Sequence, residues 1–537
     1  MKRGIPASKG YAIGEVVLQI HNEVSVSTEL ISNVEAEKEN FVSAVKKSKE
    51  QLEKIKEHTE QSIGAQEAAI FDAHIMLLED PELITSIVRE IEENHNNAIR
   101  ATSLVTDKFI AIFDAMEDEY LRERAADLKD VAGRLITNLT GNHNDIQINL
   151  ENTIVVAHDL TPSDTAQLDR SKVVAFLTDV GGKTSHSAIM ARIMGIPAIV
   201  GMGDITSVVK NGDQVIVDGV TGTVIINPST SVLAEYQAKI KNYAEEQDSL
   251  KKLVSAEAFT QSGKRIYVAG NIGKPEDLEQ VNDNGGDGVG LFRTEFLYMD
   301  RTQAPSEQEQ YESYRTVLEQ SKGKVVIRTL DIGGDKQLPY LKLPAEMNPF
   351  LGYRAIRFCL DQKDIFKTQL RALLRAAAHG ELSVMFPMIS GLNEFLSAKE
   401  VVRECELELE AEGISYSKQI EWGIMVEIPS AAICAELLAP HVDFFSIGTN
   451  DLVQYTLAVD RMSEKVSYLY DPMHPAVLHL IKMTIDAAHK YGKWVGMCGE
   501  MAGDELAIPL LVEYGLDEFS MSASSILQAK KLIMNCK

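Results

Sequence analysis

From residue 264 onward the chain repeats one unit, a short apolar run followed by an amphipathic helical stretch. Eight runs occur: RIYVAGNI (265–272), GVGLFRTEF (288–296), KVVIRTLDIG (324–333), LSVMFPMI (382–389), EWGIMVEIP (421–429), DFFSIGTND (443–451), WVGMCGE (494–500) and EFSMSAS (518–524). Amphipathic helical stretches lie between most of these runs, a regular alternation of strand and helix. Eight β/α units over residues 259–537 match the roughly 250 residues of a (β/α)8 barrel. A doubly wound open sheet is the alternative.

Upstream the character differs. The first 20 residues, ending YAIGEVVLQI, suit strands and turns. From about Val24 to Leu139 Gly and Pro are scarce, and Val105, Phe109, Ile112 and Met116 share one helical face, as do Phe71, Ile75 and Leu78 ahead of Pro81. This section is expected to be a helical bundle. From about Asn152 short apolar runs return as TIVVAHDL, KVVAFLTD, AIVGMG and QVIVDG, an α/β pattern, before one charged helix over 230–257. The expected domains are 1–22 with 142–228 (α/β), 23–141 (inserted helices), 229–258 (linker helix) and 259–537 (barrel).

Charge excludes one class of partner. The chain carries 53 basic and 79 acidic residues, a net −26, which repels phosphate backbones, so nucleic acid is not expected. Residues 31–130 hold 12 basic and 23 acidic side chains: a solvated helical surface, or a docking face for a basic protein. The five cysteines include no Cys-x-x-Cys pair, the start MKRGIPASKG lacks an apolar leader, and no run of about 18 apolar residues could span a bilayer. A cytoplasmic protein without disulfides or membrane insertion is expected.

In a barrel, functional groups gather where strands end. Those ends carry Arg293, Arg328, Glu427, Asn450, Asp451 and Cys498, with Arg461 ten residues beyond Asp451. Arginines on adjacent strands suit a phosphate or carboxylate, which a guanidinium binds bidentately. Glu427 and Asp451 supply the hard oxygens that Mg2+ uses together with substrate oxygens; the alternative is buried carboxylates tied to the arginines. Cys498, in GMCGE, is either a core thiol or one within reach of a substrate. A second constellation is GGKTSHSAIMAR (181–192): a Gly-Gly turn, Thr184 or Ser185 as helix cap, and His186 in the first turn. A helix N-terminus favours an anion there, which suits a neutral histidine that becomes negatively charged on phosphorylation.

These motifs, with LTPSDTAQL, NPFLGYRAIR and TNDLVQYTLAVDR, resemble the Enzyme I family, the phosphoenolpyruvate-protein phosphotransferases of bacterial sugar phosphotransferase systems. The resemblance runs from GIPASKGYAIGEV to EFSMSAS, essentially the whole chain. It implies a phosphohistidine α/β domain with an inserted helical bundle, followed by a TIM-type barrel. It implies His186 as the phosphorylated residue with Thr165 near its ring, and Arg293, Arg328, Asn450 and Arg461, together with Arg354, as the phosphoenolpyruvate site. Glu427 and Asp451 would hold Mg2+, and Cys498 would protonate the enolate to give pyruvate. The acidic insert would dock the phosphocarrier HPr, and a homodimer would form through the barrel. Only one short helix follows the eighth run, so closure at that seam is expected to be weaker than in the family. ATP-dependent relatives such as pyruvate phosphate dikinase need a nucleotide-binding domain, and this chain has no Gly-rich lysine loop. A non-catalytic phosphoenolpyruvate-binding regulator would not need His186, Cys498 and the carboxylates intact.

Overall fold

The computed structural model describes the chain apart from residues 20–29, 63–64, 115–118, 142–150, 167, 169–171, 183–184, 300, 335–337, 339, 342, 345, 462 and 464. It divides into two compact units, Met1–Glu245 and Glu246–Lys537.

In the first unit, five helices form the bundle: α1 (Val34–Ser62), α2 (Ala65–Leu78), α3 (Pro81–Asn94), α4 (Ala98–Asp114) and α5 (Glu119–Thr140). Asp80 caps α3 by accepting from the amides of Glu82 and Leu83, with Pro81 as the first helical residue, whose missing N–H costs nothing there. Phe71 and Leu78 are buried as expected. The α4 face is rotated from the expected one: Ala98, Ala101 and Val105 are buried and Phe109 and Phe113 pack beside them, whereas Ile112 is exposed. The buried positions step by three and four from Ala98, and Ile112 falls between two of them. Met116 and the seams expected near residues 22 and 142 lie outside the described residues.

The α/β part holds one mixed sheet. Tyr11–Gln19 pairs in parallel with Thr153–Ala157, that strand with Val173–Thr178, and that one with Ala198–Val200; Gln214–Asp218 and Thr223–Ile226 extend the sheet as an antiparallel hairpin. Among the helices that follow its strands are α6 (Pro162–Ala166) and α7 (His186–Met194).

The second unit contains eight parallel strands: β1 (Arg265–Ile272), β2 (Val289–Arg293), β3 (Val325–Arg328), β4 (Leu382–Phe386), β5 (Ile420–Val426), β6 (Phe444–Ile447), β7 (Trp494–Met497) and β8 (Glu518–Met521). Each expected run supplies one strand. β1 pairs with both β2 and β8, the latter from Tyr267↔Glu518 to Gly270↔Met521, so the sheet closes on itself. The open-sheet alternative is excluded, and the expected weakness at the seam is answered by these four pairs and by helix Ile526–Asn535 behind them. Its buried Lys530 donates to the carbonyls of Ala256 and Gly285. Leu291, Val326, Met385, Met425, Phe444 and Cys498 form one cluster from alternate strand positions. Side chains thus fill the barrel interior, as this fold requires. Among the described residues no helix is long and apolar enough to cross a membrane.

Candidate active site

The C-terminal strand ends build a charged floor from residues that are nearly all buried. Arg328 ends β3 and is 7% exposed. Its guanidinium donates to Glu295 at 2.6 Å and pairs with Asp331 at 3.0 Å. Arg354 donates to both oxygens of Asp331 at 3.1 Å, to Asp451 at 3.2 Å and to the Tyr455 hydroxyl at 3.2 Å. Asp331 therefore bridges two guanidiniums, and Arg354 bridges two acids. The Arg328 Nε is buried with no hydrogen-bond partner among the described residues, so one donor of this fork remains for a ligand oxygen. Arg293, at the end of β2, is exposed and lies over the Phe296 ring.

Glu427 follows β5 and is 2% exposed. Its Oε1 accepts from the amide of Met388 at 2.6 Å. That amide is presented by a left-handed backbone (φ 57°) that a non-glycine residue adopts at a cost. Burial, then the charges of Asp451 and Asp331, push the Glu427 carboxyl well above its ordinary range. Glu427 forms no ion pair among the described residues, and Asp451, on the helix after β6, is also buried. Two buried carboxylates that repel each other fit a hard divalent cation completed by substrate oxygens and water, the usual Mg2+ arrangement. Among the described residues no three His, Cys, Asp or Glu groups could hold a metal by themselves. Asn450 accepts from the Glu500 amide at 3.0 Å, and the half-buried Arg461 donates its amide to Gln454 at 3.2 Å.

Cys498 follows β7 and is 6% exposed. The Ser446 hydroxyl on β6 donates to its sulfur at 3.4 Å. Burial pushes the thiol up to about 11 although Ser446 and Arg328 pull it down. The group is therefore a neutral thiol at physiological pH, able to give a proton and ill suited to act as a resting nucleophile.

In the first unit His186 is the first residue of α7 and Ser185 its N-cap, but the Ser185 side chain makes no capping bond and meets the Ser187 hydroxyl at 3.1 Å. Side-chain capping by Ser185 is thus not realised, because that hydroxyl turns to Ser187; Thr184 lies outside the described residues. Three backbone amides at the helix start stay unclaimed by Ser185, which suits an anion on this turn. Thr165 is 2% exposed on α6 and donates within its own turn to Thr161 and Pro162 carbonyls. The expected contact with the His186 ring lies outside the described side chains. Arg192 donates to the Ala7 carbonyl at 2.9 Å, a structural bond.

The barrel brings together Arg328, Arg354, Glu427, Asp451 and Cys498. Sequence reasoning missed Glu295 and Asp331, which hold the two guanidiniums, and Ser446, which holds the thiol. It also missed Asp130 of the bundle, whose carboxylate accepts from the Ser163 amide at 3.1 Å and so ties α5 to the turn bearing Thr165. Acids two residues after Arg293 and three after Arg328 were the available signal.

Three family models match the chain: the PEP-utilising enzyme N-terminal region (residues 3–124), mobile domain (148–222) and PEP-binding domain (247–537). A phosphoenolpyruvate-protein phosphotransferase of Staphylococcus carnosus is 54% identical over 533 residues, covering 99% of this chain and 93% of its own. One from Priestia megaterium is 53% identical with the same coverage. One from Enterococcus faecalis is 53% identical over 539 residues, covering 99% and 94%.

Proposed function

The chain belongs to the phosphoenolpyruvate-protein phosphotransferase family, and from that premise we propose how its residues divide the transfer of phosphate from phosphoenolpyruvate to protein. His186 takes the phosphoryl group and passes it to HPr, and pyruvate leaves. The observation that carries this division is the buried Arg328, with a donor left open, whose charge is felt at the neutral thiol of Cys498. An anion site beside an acid is what phosphoenolpyruvate needs, because the departing enolate becomes pyruvate only when its carbon is protonated.

Arg328 and Arg293, with Asn450 and Arg461, bind the phosphate and carboxylate of the substrate. Arg354, held by Asp331 and Asp451, sets the floor on which Asp451 stands. Glu427 and Asp451 would hold Mg2+, which when bound neutralises charge on the substrate oxygens. Four carboxyls (Glu295, Asp331, Glu427 and Asp451) face two buried guanidiniums, a deficit of positive charge that one divalent ion balances. Cys498 delivers its proton to the methylene carbon. Thr165 sits on the turn beside the phosphohistidine helix and positions the imidazole.

The acidic insert of residues 23–141 is the docking region for HPr, consistent with its excess of 23 acidic over 12 basic side chains across 31–130. Self-association through the barrel is supported by the exposed apolar side chains Ile433 and Leu437 on neighbouring short helices.

The test is incubation with phosphoenolpyruvate labelled in its phosphate, plus Mg2+, with and without HPr. The expected result is an acid-labile, alkali-stable label that moves to HPr and is absent from His186→Ala. Normal labelling of that variant sinks the assignment.

A further inference from the structure

The mechanism above leaves a thiolate on Cys498 after each turnover, in a site that is 6% exposed. A second carboxyl, which that mechanism does not use, lies in the barrel wall below it. Glu518 on β8 is 7% exposed, and among the described residues no donor reaches its carboxyl. An unpartnered carboxyl in a barrel interior is costly and calls for an explanation.

Strand register places it. Gly496 on β7 is paired on one side with Ser446 on β6 and on the other with Glu518 on β8. All three therefore occupy one layer, and Cys498 stands two residues above Gly496 on the same strand. Two residues advance about 6.6 Å along a strand, and Ser446 and Glu518, one strand either side of Gly496, stand two spacings or about 9.6 Å apart, a distance that a glutamate, a serine and one water span. The glycine matters: a β-carbon there would come within 3.1 Å of Glu518 Oε1. The carboxyl thus leans over Gly496, into the gap its missing side chain leaves beneath the thiol. A second glycine opens the same space on the far side. Ser520 Oγ and Glu518 Oε1 lie 2.4 and 2.5 Å from where a β-carbon on Gly290 would sit, and Ser520 donates to Asn271, which donates to the Cys498 carbonyl at 3.0 Å.

We propose that Glu518 is the internal proton store that restores the Cys498 thiol after each turnover, acting across the gap at Gly496 through the Ser446 hydroxyl. This rests on Cys498 being the acid that protonates the enolate. The balance is simple. The S–H bond breaks as the methyl C–H bond of pyruvate forms. The thiolate takes the Ser446 hydroxyl proton as that oxygen receives one from the Glu518 carboxylic acid through one water. The carboxylate left behind takes a proton from solvent at the N-terminal mouth. Burial pushes Glu518 up to about 7, with Lys324 lowering it and Glu421, Asp287 and Asp517 raising it. Cys498 stands at about 11 and feels the Glu518 charge directly. Transfer from carboxylic acid to thiolate is therefore downhill, and the store is partly filled at neutral pH.

The test separates first from later turnovers, because the first uses the proton already on the thiol. With phosphoenolpyruvate, Mg2+ and excess HPr, Glu518→Gln should form the first equivalent of pyruvate within about twofold of the wild-type rate and run about tenfold slower in steady state. Gly496→Ala keeps the carboxyl but fills the gap, and should give the same pattern. Steady-state turnover within twofold of wild type in either variant, or first and later turnovers slowed equally, overturns the relay. Cys498→Ser is run alongside: pyruvate formed at the wild-type rate there removes Cys498 as the acid, a failure of the underlying mechanism distinct from failure of Glu518.

Discussion

At the C-terminal mouth of the barrel, Arg328 and Arg354 meet Glu295, Asp331 and Asp451 with every side chain at most 11% exposed. At the N-terminal mouth, Lys324 meets Glu421 at 2.7 Å and Lys264 meets Asp517 at 2.9 Å, but these groups are 22–41% exposed. The same eight strands thus carry ion pairs of two kinds. The exposed pairs keep most of their hydration and cost little to form or to lose. The buried ones give up hydration at several kcal/mol per ion and recover it only through near-complete pairing. Such an arrangement is a poor way to gain stability and a good way to fix the direction of a guanidinium. Charge at one mouth organises chemistry, whereas at the other it finishes a surface.

The largest consequence of that difference is expected at Asp331. Asp331→Asn leaves two buried guanidiniums short of an anion, and the barrel should lose about 3–5 kcal/mol together with phosphoenolpyruvate binding. Both tryptophans of the chain, Trp422 and Trp494, lie on barrel strands, so denaturant unfolding followed by their fluorescence reports this unit. Wild-type stability in that variant would mean the two mouths do not differ as described.

A middle-sized effect belongs to the interior between them. The native state holds the Glu518 proton up to about 7, whereas the unfolded chain releases it at an ordinary carboxyl value. Between those values the native state binds more protons, so stability falls as pH rises, by about 3 kcal/mol in total. Subtracting Glu518→Gln from wild type across pH 4.5–7.5 should isolate that slope, and a flat difference would count against a buried, unpartnered carboxyl. The smallest effect is expected at the N-terminal mouth. Lys264→Met should cost less than about 1 kcal/mol and leave pyruvate formation unchanged, and a loss comparable with that of Asp331→Asn would erase the contrast.

Much of this was legible in the sequence, for reasons that differ by residue. The eight strands stand out because a strand covered on both faces must be a continuous apolar run. Arg328, Glu427, Asp451 and Cys498 stand out because each interrupts or ends such a run. Glu295 and Asp331 do not. Glu295 meets Arg328 from 33 residues away and Asp331 meets Arg354 from 23 residues away, bonds that only the closed ring creates and no local period encodes; only the Asp331–Arg328 pair, three residues apart, is local. Ile112 was misplaced because Val105 and Phe109 fix a face only to within one helical position, and the alanines that complete it carry little apolar signal. Gly496 reads as an ordinary strand glycine until its neighbours on both sides are known.

The ring also has an order of assembly. β1 and β8, the pair that closes it, are separated by some 250 residues of chain, the longest loop in the unit and the most expensive in entropy to close. That joint should form last during folding and open first in hydrogen exchange, at amides such as that of Tyr267, which bonds to the Asp517 carbonyl. Asn271, Glu518 and Ser520 all sit on those two strands, so proton traffic beneath the thiol passes through the youngest seam of the barrel.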